Sequence, residues 1–308
     1  MNAPIDISVA IPCFNEAENV AAIVAAVKSE LVKAAISHEI ILIDNASTDA
    51  TASIAKGLCA ADPSVRLIVN NRNYGQMRSP AHAVYESRGA AVISLSADFQ
   101  DPPALIADFI ARWREGAKIV LGVYESGETS PLMRTIRGLG YAFFQQFGDY
   151  PVIPGATGFG LYDREVVDTL KLWREPEPFF RGMLVESGFP VETVPFVRAP
   201  RAAGVTKNNF FTLFDVALSG LAASSKALLR APFYLAAAMA LLTGVFVLGL
   251  LWSLIVAAPS WPWLLALLAA FNFTWVFLCL GVMGEQIRLI SERSRNTPLV
   301  IERERVNF

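Results

Sequence analysis

Charge, cysteine and histidine are all scarce in this chain. Only 18% of its 308 residues are Asp, Glu, Lys or Arg, against roughly 25% in an ordinary soluble domain. Its 26 basic and 28 acidic side chains give a formal net charge of −2. Nothing in that balance draws the chain to a phosphate backbone, and a nucleic-acid partner is excluded. The 54% hydrophobic content excludes a disordered chain, which requires low hydrophobicity and high net charge. Cys13, Cys59 and Cys279 are odd in number and widely spaced. They form neither a disulfide framework nor a zinc pattern, and they suit a reducing compartment. His38 and His82 stand apart from one another and read as surface or internally satisfied side chains. No G-x-G-x-x-G follows the first expected strand and no GxxxxGK[ST] occurs, so neither a dinucleotide fingerprint nor a P-loop is available. The N-terminus carries no apolar signal segment, and MNAPIDISVAIPCFNE reads as the start of a strand.

The shortage of charge is local. No charged residue lies between Arg230 and Glu285, a stretch that includes LAAAMALLTGVFVLGLLWSLIV and WPWLLALLAAFNFTWVFLCLGVM. Each run exceeds the ~20 apolar residues that cross a ~30 Å hydrocarbon core, and a pair of buried core helices is the less favoured alternative. Pro259, Ser260 and Pro262 mark a hairpin tip, with Trp252, Trp261 and Trp263 near it, as expected at a membrane–water interface. The tip has no Lys or Arg, whereas Lys207, Lys226 and Arg230 precede the first run and Arg288, Arg293 and Arg295 follow the second. The positive-inside rule therefore places both ends in the cytoplasm and the hairpin in the inner membrane. Gly244 and Gly249 permit close helix approach and a homo-oligomer formed through these helices.

Before the hairpin, strands and helices alternate. Ile5 to Ile11 alternates as a strand that Pro12 is expected to break. Val20, Ile23, Val24, Val27, Leu31 and Val32 then recur at helical spacing. The run EIILI (39–43) is a short apolar strand ending at Asp44, and Ser47, Thr48 and Asp49 are placed to cap a helix after it. Strands over 66–69, 91–95 and 118–122 and helices over 79–88 and 103–115 complete the rhythm, which implies a mostly parallel sheet with helices on both faces. In such sheets ligands bind beyond the carboxyl ends of the strands. Polar residues gather at those ends: Asn15 and Glu16, Asp44 and Asn45, Asn71 to Gln76, and Asp98, Gln100 and Asp101. Any one of these is readily a turn or cap residue; four successive strand ends point to one crevice.

The segments IPCFNEAENV, ILIDNASTDAT, NRNYGQ and ADFQDPP resemble the signature series of family 2 glycosyltransferases with a GT-A fold. GFGLYDREVV, FFRGM, RAPRAAGVTKNNF and SERSRNTPL are similar to the polyprenyl-phosphate branch, which includes dolichol-phosphate mannose synthases and bactoprenol-phosphate glucosyltransferases. The resemblance runs along nearly the whole chain. It implies an α/β protein: a cytoplasmic GT-A domain with a Rossmann-like, mostly parallel sheet over 1–205, and amphipathic juxtamembrane helices over 206–230. Two transmembrane helices over 231–285 and a cytoplasmic tail over 286–308 complete it.

The resemblance also implies roles. Pro12, Phe14 and Glu16 would line the nucleotide site, Asp44 would bind the base, and Asp98 with Gln100 would hold Mg²⁺ or Mn²⁺ against the diphosphate of a nucleotide-sugar donor, a UDP-sugar such as UDP-glucose. Such hard cations prefer oxygen ligands and neutralise a leaving diphosphate. Asp163, in LYDREVV, adjoins the sugar site in the family and is a catalytic candidate; it also suits a helix N-cap. Two residues depart from the family pattern. Ser96 stands where the first carboxylate of Asp-x-Asp is usual, and Tyr124 where an arginine is common.

The acceptor side follows from charge. A polyprenyl (undecaprenyl) phosphate has a second pKa near ~6, so it attacks as an anion and needs cationic side chains more than a general base. Arg134 and Arg137 follow the fifth strand, and Arg198, Arg201 and Lys207 precede the membrane; part of that charge also suits contact with anionic lipid. Phe210, Phe211, Phe214, Leu218 and Leu221 recur at helical spacing, as in a helix lying in the interface; a plain core helix competes with that reading. The expectation is an inverting transfer of a single sugar to the lipid phosphate. Two alternatives stay open: a membrane-anchored sugar-nucleotide-binding protein with a degenerate site, and a glycosyltransferase acting on a different lipid or polysaccharide acceptor.

Overall fold

A computed structural model describes residues 4–125, 153–199, 226–255, 261–295 and 297–308. The chain runs β1 (Ile7–Cys13), α1 (Val20–Lys33), β2 (His38–Asp44), α2 (Thr51–Ala61), β3 (Val65–Asn70), α3 (Gly75–Tyr85), β4 (Ala91–Ser94), α4 (Ile106–Arg114) and β5 (Ile119–Glu125). It continues through β6 (Ala156–Asp163), α5 (Arg164–Leu172), α6 (Phe180–Glu186), β7 (Val191–Val197), α7 (Lys226–Ile255), α8 (Trp261–Ser294) and β8 (Glu302–Val306).

The strands form one eight-stranded sheet in the order β7-β5-β6-β4-β1-β2-β3-β8. Its centre is parallel, β4 with β1, β1 with β2 and β2 with β3. The flanks are mixed: β6 runs antiparallel to both β4 and β5, β7 is parallel to β5, and β8 is antiparallel to β3. Both faces are covered, and the β2 run shows how. Ile40 and Leu42 enter the core on one side, with Val9, Ile11, Val27 and Phe109, while Ile41 and Ile43 enter the other, with Val92, Tyr162 and Leu170. A strand buried on two faces loses its polar alternation.

Three local expectations are revised. Pro12 does not end β1; it pairs in register with Ile43. The Ala10 carbonyl accepts from Leu95 on the β4 side, and the Cys13 carbonyl accepts from Asn45 on the β2 side. By that alternation Pro12 faces the β4 side, beyond the last paired residue of β4, where its missing N–H costs no ladder bond. Val32 leaves the buried stripe of α1 and is 60% exposed. Asp49, rather than Ser47 or Thr48, meets the first turn of α2, its Oδ1 accepting from the Thr51 amide at 3.0 Å.

Close packing at β6 needs a bare backbone. A Cβ on Gly160 would lie 2.3 Å from the Val120 carbonyl oxygen. Beside it Phe159 fills the core against Phe109 and Phe196, with ring centroids at 5.0 and 5.6 Å.

Helices α7 and α8 pack on one another and carry apolar stretches, Tyr234–Ser253 and Leu264–Arg288, long enough to cross a bilayer. Their flanks are exposed, as at Leu248, Phe273 and Phe277. The described part of α7 starts at Lys226, within the expected juxtamembrane segment, and α8 continues to Ser294. The residues after it are not a detached tail. β8 pairs with β3 from Leu67 opposite Val306 to Asn70 opposite Glu302. Glu302 meets His82 at 2.5 Å and also pairs with Arg305, which reaches Glu86 at 2.8 Å. Burial alone would raise the Glu302 carboxyl, but hydrogen bonds from Arg305 and His82 outweigh it and hold the group below the usual range. The expected interfacial segment, with Phe210, Phe211, Phe214, Leu218 and Leu221, lies outside the described residues, as do Pro259 and Ser260.

Two outcomes follow. Gly160→Ala forces β6 away from β5 and lowers stability by about 1–3 kcal/mol, read by denaturant unfolding. Glu302, with its lowered pKa, stabilises the β8 clasp above the ordinary glutamate pKa of ~4.3, and that contribution is lost as pH falls through the lowered value. The protection of amides across 302–306, measured relative to intrinsic exchange, should therefore fall in acid, and Glu302→Gln should remove that step.

Candidate active site

The parallel strands fix where a ligand sits. β1 has β2 on one side and β4 on the other, so the connections leaving β1 and β3 carry the chain in opposite directions along the sheet. The crevice beyond the carboxyl ends of β1 and β4 is the topological switch point, the usual ligand site of an open α/β sheet. Asp44 ends β2 and Asp98 follows β4, so they flank the end of β1 across two strand spacings, about 10 Å.

On the β2 side, two loops are sewn together. The Asn15 amide donates to Ser47 Oγ at 2.8 Å, the Glu16 amide to Thr51 Oγ1 at 2.8 Å, and the Ala17 amide to Asp49 Oδ2 at 3.2 Å. Asn15 Oδ1 accepts in return from the Thr48 amide at 2.7 Å. Asp44 is buried, and its carboxylate accepts from the Ser47 amide at 3.2 Å. Glu16 is held by Asn19, whose Nδ2 donates at 2.7 Å. Burial pushes the Cys13 thiol up, and the carboxylates of Asp44, Glu16 and Asp49 push it further. The crevice floor is thus electronegative and favours a cation or hydrogen-bond donors.

Asparagines shape the next wall. Asn45 Oδ1 accepts from the Tyr74 amide at 2.9 Å and from Asn70 Nδ2 at 3.1 Å, while its own Nδ2 donates to Asn73 Oδ1 at 2.9 Å. One side chain thereby holds the 71–75 loop against the end of β3. The Asn71 amide donates to the Ile301 carbonyl at 3.0 Å, so the segment leading into β8 touches the same loop.

On the β4 side, Ser96 knits the acidic loop. Its amide and hydroxyl meet Asp101 Oδ2 at 3.0 and 2.6 Å, and the hydroxyl also lies 2.9 Å from Asp98 Oδ1. The Gln100 amide donates to Asp98 Oδ1 at 3.1 Å. Asp98 and Asp101 are both buried, and Asp101 Oδ1 has no hydrogen-bond partner. Burial raises the Asp101 carboxyl, with the Ser96 hydrogen bonds and the Arg198 charge opposing it. Arg198 Nη2 donates to Gln100 Oε1 at 2.9 Å, and its guanidinium carbon stands 5.5 Å from the Tyr124 ring centre. The Asp98 carboxylate is the hard oxygen donor that a divalent cation prefers, while Gln100 Oε1 is engaged by the Arg198 guanidinium. Among the described residues no group of three or more His, Cys, Asp or Glu gathers into a closed cage.

Asn15, Ala46 and Phe99 all adopt positive φ, 57°, 60° and 61°. Each lies in a loop of this crevice, and non-glycine residues in that region concentrate at functional sites. Composition and periodicity carry no signal for that strain.

Asp163 is not gathered with these residues. It pairs opposite Ala91, at the amino end of β4, because β6 is antiparallel and carries its last residue to the far edge of the sheet. There it accepts from Trp113 Nε1 at 2.8 Å, from Lys118 Nζ at 3.0 Å and from the Glu165 amide at 3.1 Å, and so caps α5. Of the expected acceptor residues, Arg198 is at the crevice; Arg134, Arg137, Arg201 and Lys207 lie outside the described residues.

Asn45→Ala leaves the Tyr74 amide unpaired and should cost about 1–3 kcal/mol, with hydrogen exchange of the 71–75 loop accelerated before global unfolding.

Residues 8–171 match the family model of glycosyl transferase family 2. An uncharacterised glycosyltransferase of Synechocystis sp. is 29% identical over 301 residues, covering 96% of this chain and 94% of the relative. The bactoprenol glucosyl transferase of Shigella phage SfV is 30% identical over 301 residues, covering 96% and 97%. A prophage bactoprenol glucosyl transferase homolog of Escherichia coli strain K12 is 29% identical over 302 residues, covering 96% and 98%. With its sheet, its switch-point crevice and its signature loops, the chain belongs to glycosyltransferase family 2 and has the GT-A fold, alike to the bactoprenol glucosyl transferases along the length of both chains.

Proposed function

We propose that this glycosyltransferase moves one sugar, with inversion, from a UDP-sugar such as UDP-glucose to a polyprenyl phosphate at the cytoplasmic face of the membrane. The observation that carries this reading is the buried Asp98 carboxylate, fixed by the Ser96 hydroxyl and the Gln100 amide at the switch point, in a chain with full-length likeness to bactoprenol glucosyl transferases.

In this reading the donor lies across the end of β1. Pro12, Phe14 and Glu16 line its nucleotide and Asp44 accepts from the base. Asp98 and Gln100 would hold Mg²⁺ or Mn²⁺, which would supply positive charge against the diphosphate. A lipid-phosphate oxygen attacks the anomeric carbon from the opposite side; the new C–O bond forms as the bond to the diphosphate breaks, and nucleoside diphosphate departs. The phosphate is already ionised at neutral pH, so the step needs no base, which accords with the remote position of Asp163. Arg198 reaches the crevice from β7 and brings a guanidinium between donor and acceptor phosphates. Arg134, Arg137, Arg201 and Lys207 complete the cationic side of this proposal.

The positions of Lys and Arg around the apolar helices support a membrane hairpin with both ends cytoplasmic. The reading as a binding protein with a decayed site draws on Ser96 and Tyr124. Against it, the Ser96 hydroxyl still engages both neighbouring carboxylates, and Arg198 sets a cation over Tyr124.

Asp98→Asn should lower transfer of radiolabelled sugar to polyprenyl phosphate, assayed in vesicles with Mn²⁺, by about 100-fold or more, with the unfolding midpoint unchanged. A fully active variant would overturn the metal-site assignment. Failure of the intact enzyme with every UDP- and GDP-sugar would overturn the reaction.

A further inference from the structure

We propose that Leu172 and Trp173, where α5 ends, seat the catalytic domain in the lipid headgroup layer, a membrane contact separate from the helix hairpin. The proposal rests on the hairpin crossing the membrane, as argued above.

Helix α5 buries Val166, Val167 and Leu170 in the core. The two residues that end it point the other way: Leu172 is 79% exposed and Trp173 is 38% exposed. Single exposed apolar residues are ordinary. What sets these apart is the loop they lead into. Glu175 receives two hydrogen bonds from Arg293, each 2.8 Å, and Glu177 lies 3.4 Å from Arg288 Nη2. Arg288 is the last residue of the apolar stretch of α8, and Arg293 is five positions on, about 7.5 Å along the axis. The loop is therefore fastened to α8 where that helix leaves the hydrocarbon.

Chain geometry then limits where Trp173 can be. A single residue, Arg174, separates it from Glu175, so their Cα atoms are at most about 7 Å apart. The polar layer on each side of the hydrocarbon is about 5–8 Å deep, and tryptophan is enriched there because its ring suits that boundary. Arg174 is exposed next to Trp173 and turns the chain with φ of 52°. It adds a positive charge to the patch, which suits an anionic leaflet. Arg78 Nε holds the Pro176 carbonyl at 2.7 Å, so the loop is braced from α3 as well. The ion pairs are made with the chain's own membrane-entering helix, which makes the patch continuous with the bilayer surface rather than with a second copy.

Beside the hairpin, a contact at this patch resists tilting of the domain against the bilayer plane. A second contact fixes the crevice at one height and one orientation toward the lipid phosphate.

The test uses the full chain in anionic vesicles, with Cys279→Ala removing the thiol of the apolar stretch. A polarity-sensitive fluorophore is attached at Leu172→Cys, and in a separate sample at Phe277→Cys. Lipids carrying a nitroxide at the headgroup or at the bilayer centre serve as quenchers. The expected result is headgroup-depth quenching at position 172 and bilayer-centre quenching at position 277. Quenching at 277 without any at 172 overturns the patch and leaves the hairpin standing; no quenching at 277 overturns the hairpin reading itself. As a second readout, Trp173→Glu should raise the acceptor KM several-fold in vesicles while leaving UDP-sugar affinity and the unfolding midpoint unchanged. An unchanged acceptor KM would overturn the proposal.

Discussion

The parallel pairing of β1 with β4 on one side and β2 on the other is the constraint on which the site depends. Parallel strands direct their carboxyl ends to one edge, and β1 is the strand from which the sheet grows both ways. Asp44 and Asp98 come together for that reason, although they belong to different βα units and neither touches the other. The fold supplies the gap between the strand ends; the loops supply its chemistry. Pro12 illustrates the economy of the arrangement, since it sits where β1 has outrun β4 and no ladder bond is owed.

Much of this was legible in the residues. The first βα units announce themselves by apolar periodicity and by polar residues at each strand end, and the crevice follows from those ends alone. β6 was hidden by Gly158 and Gly160, whose missing side chains erase the alternation that marks a strand. β8 reads as ERERV, a charged segment whose neighbours are contributed by β3 and α3, far away in sequence. Asp163 shows the cost of not seeing β6. Its motif suggested proximity to the sugar, whereas the antiparallel direction of that strand delivers it to the opposite edge. Asn45 was visible as a strand-end residue; its role as the hub for Asn70, Asn73 and Tyr74 depends on contacts that spacing does not encode.

The two departures from the family pattern gain a spatial account. Ser96 exchanges a carboxylate for a hydroxyl, and that hydroxyl lies within reach of both Asp98 and Asp101. A third carboxylate would stand against two buried ones, so the exchange relieves repulsion in a region of low dielectric. Tyr124 exchanges a guanidinium for a ring, and Arg198, just after the adjacent strand β7, lays its own guanidinium over that ring. A cation at this position is thus provided from a neighbouring strand, although a reading along the sequence finds none in the expected place.

The clasp made by β8 also bears on biosynthesis. Its residues are translated after both apolar helices, so the open edge of β3 stays without its partner until the hairpin has been made. Were only one of the two apolar helices to cross the bilayer, β8 would lie on the far side from β3 and leave it with an unpaired edge. If both helices cross a membrane, completion of the sheet would report on topology: the domain would finish folding only where two crossings have brought the chain back to the side from which it set out.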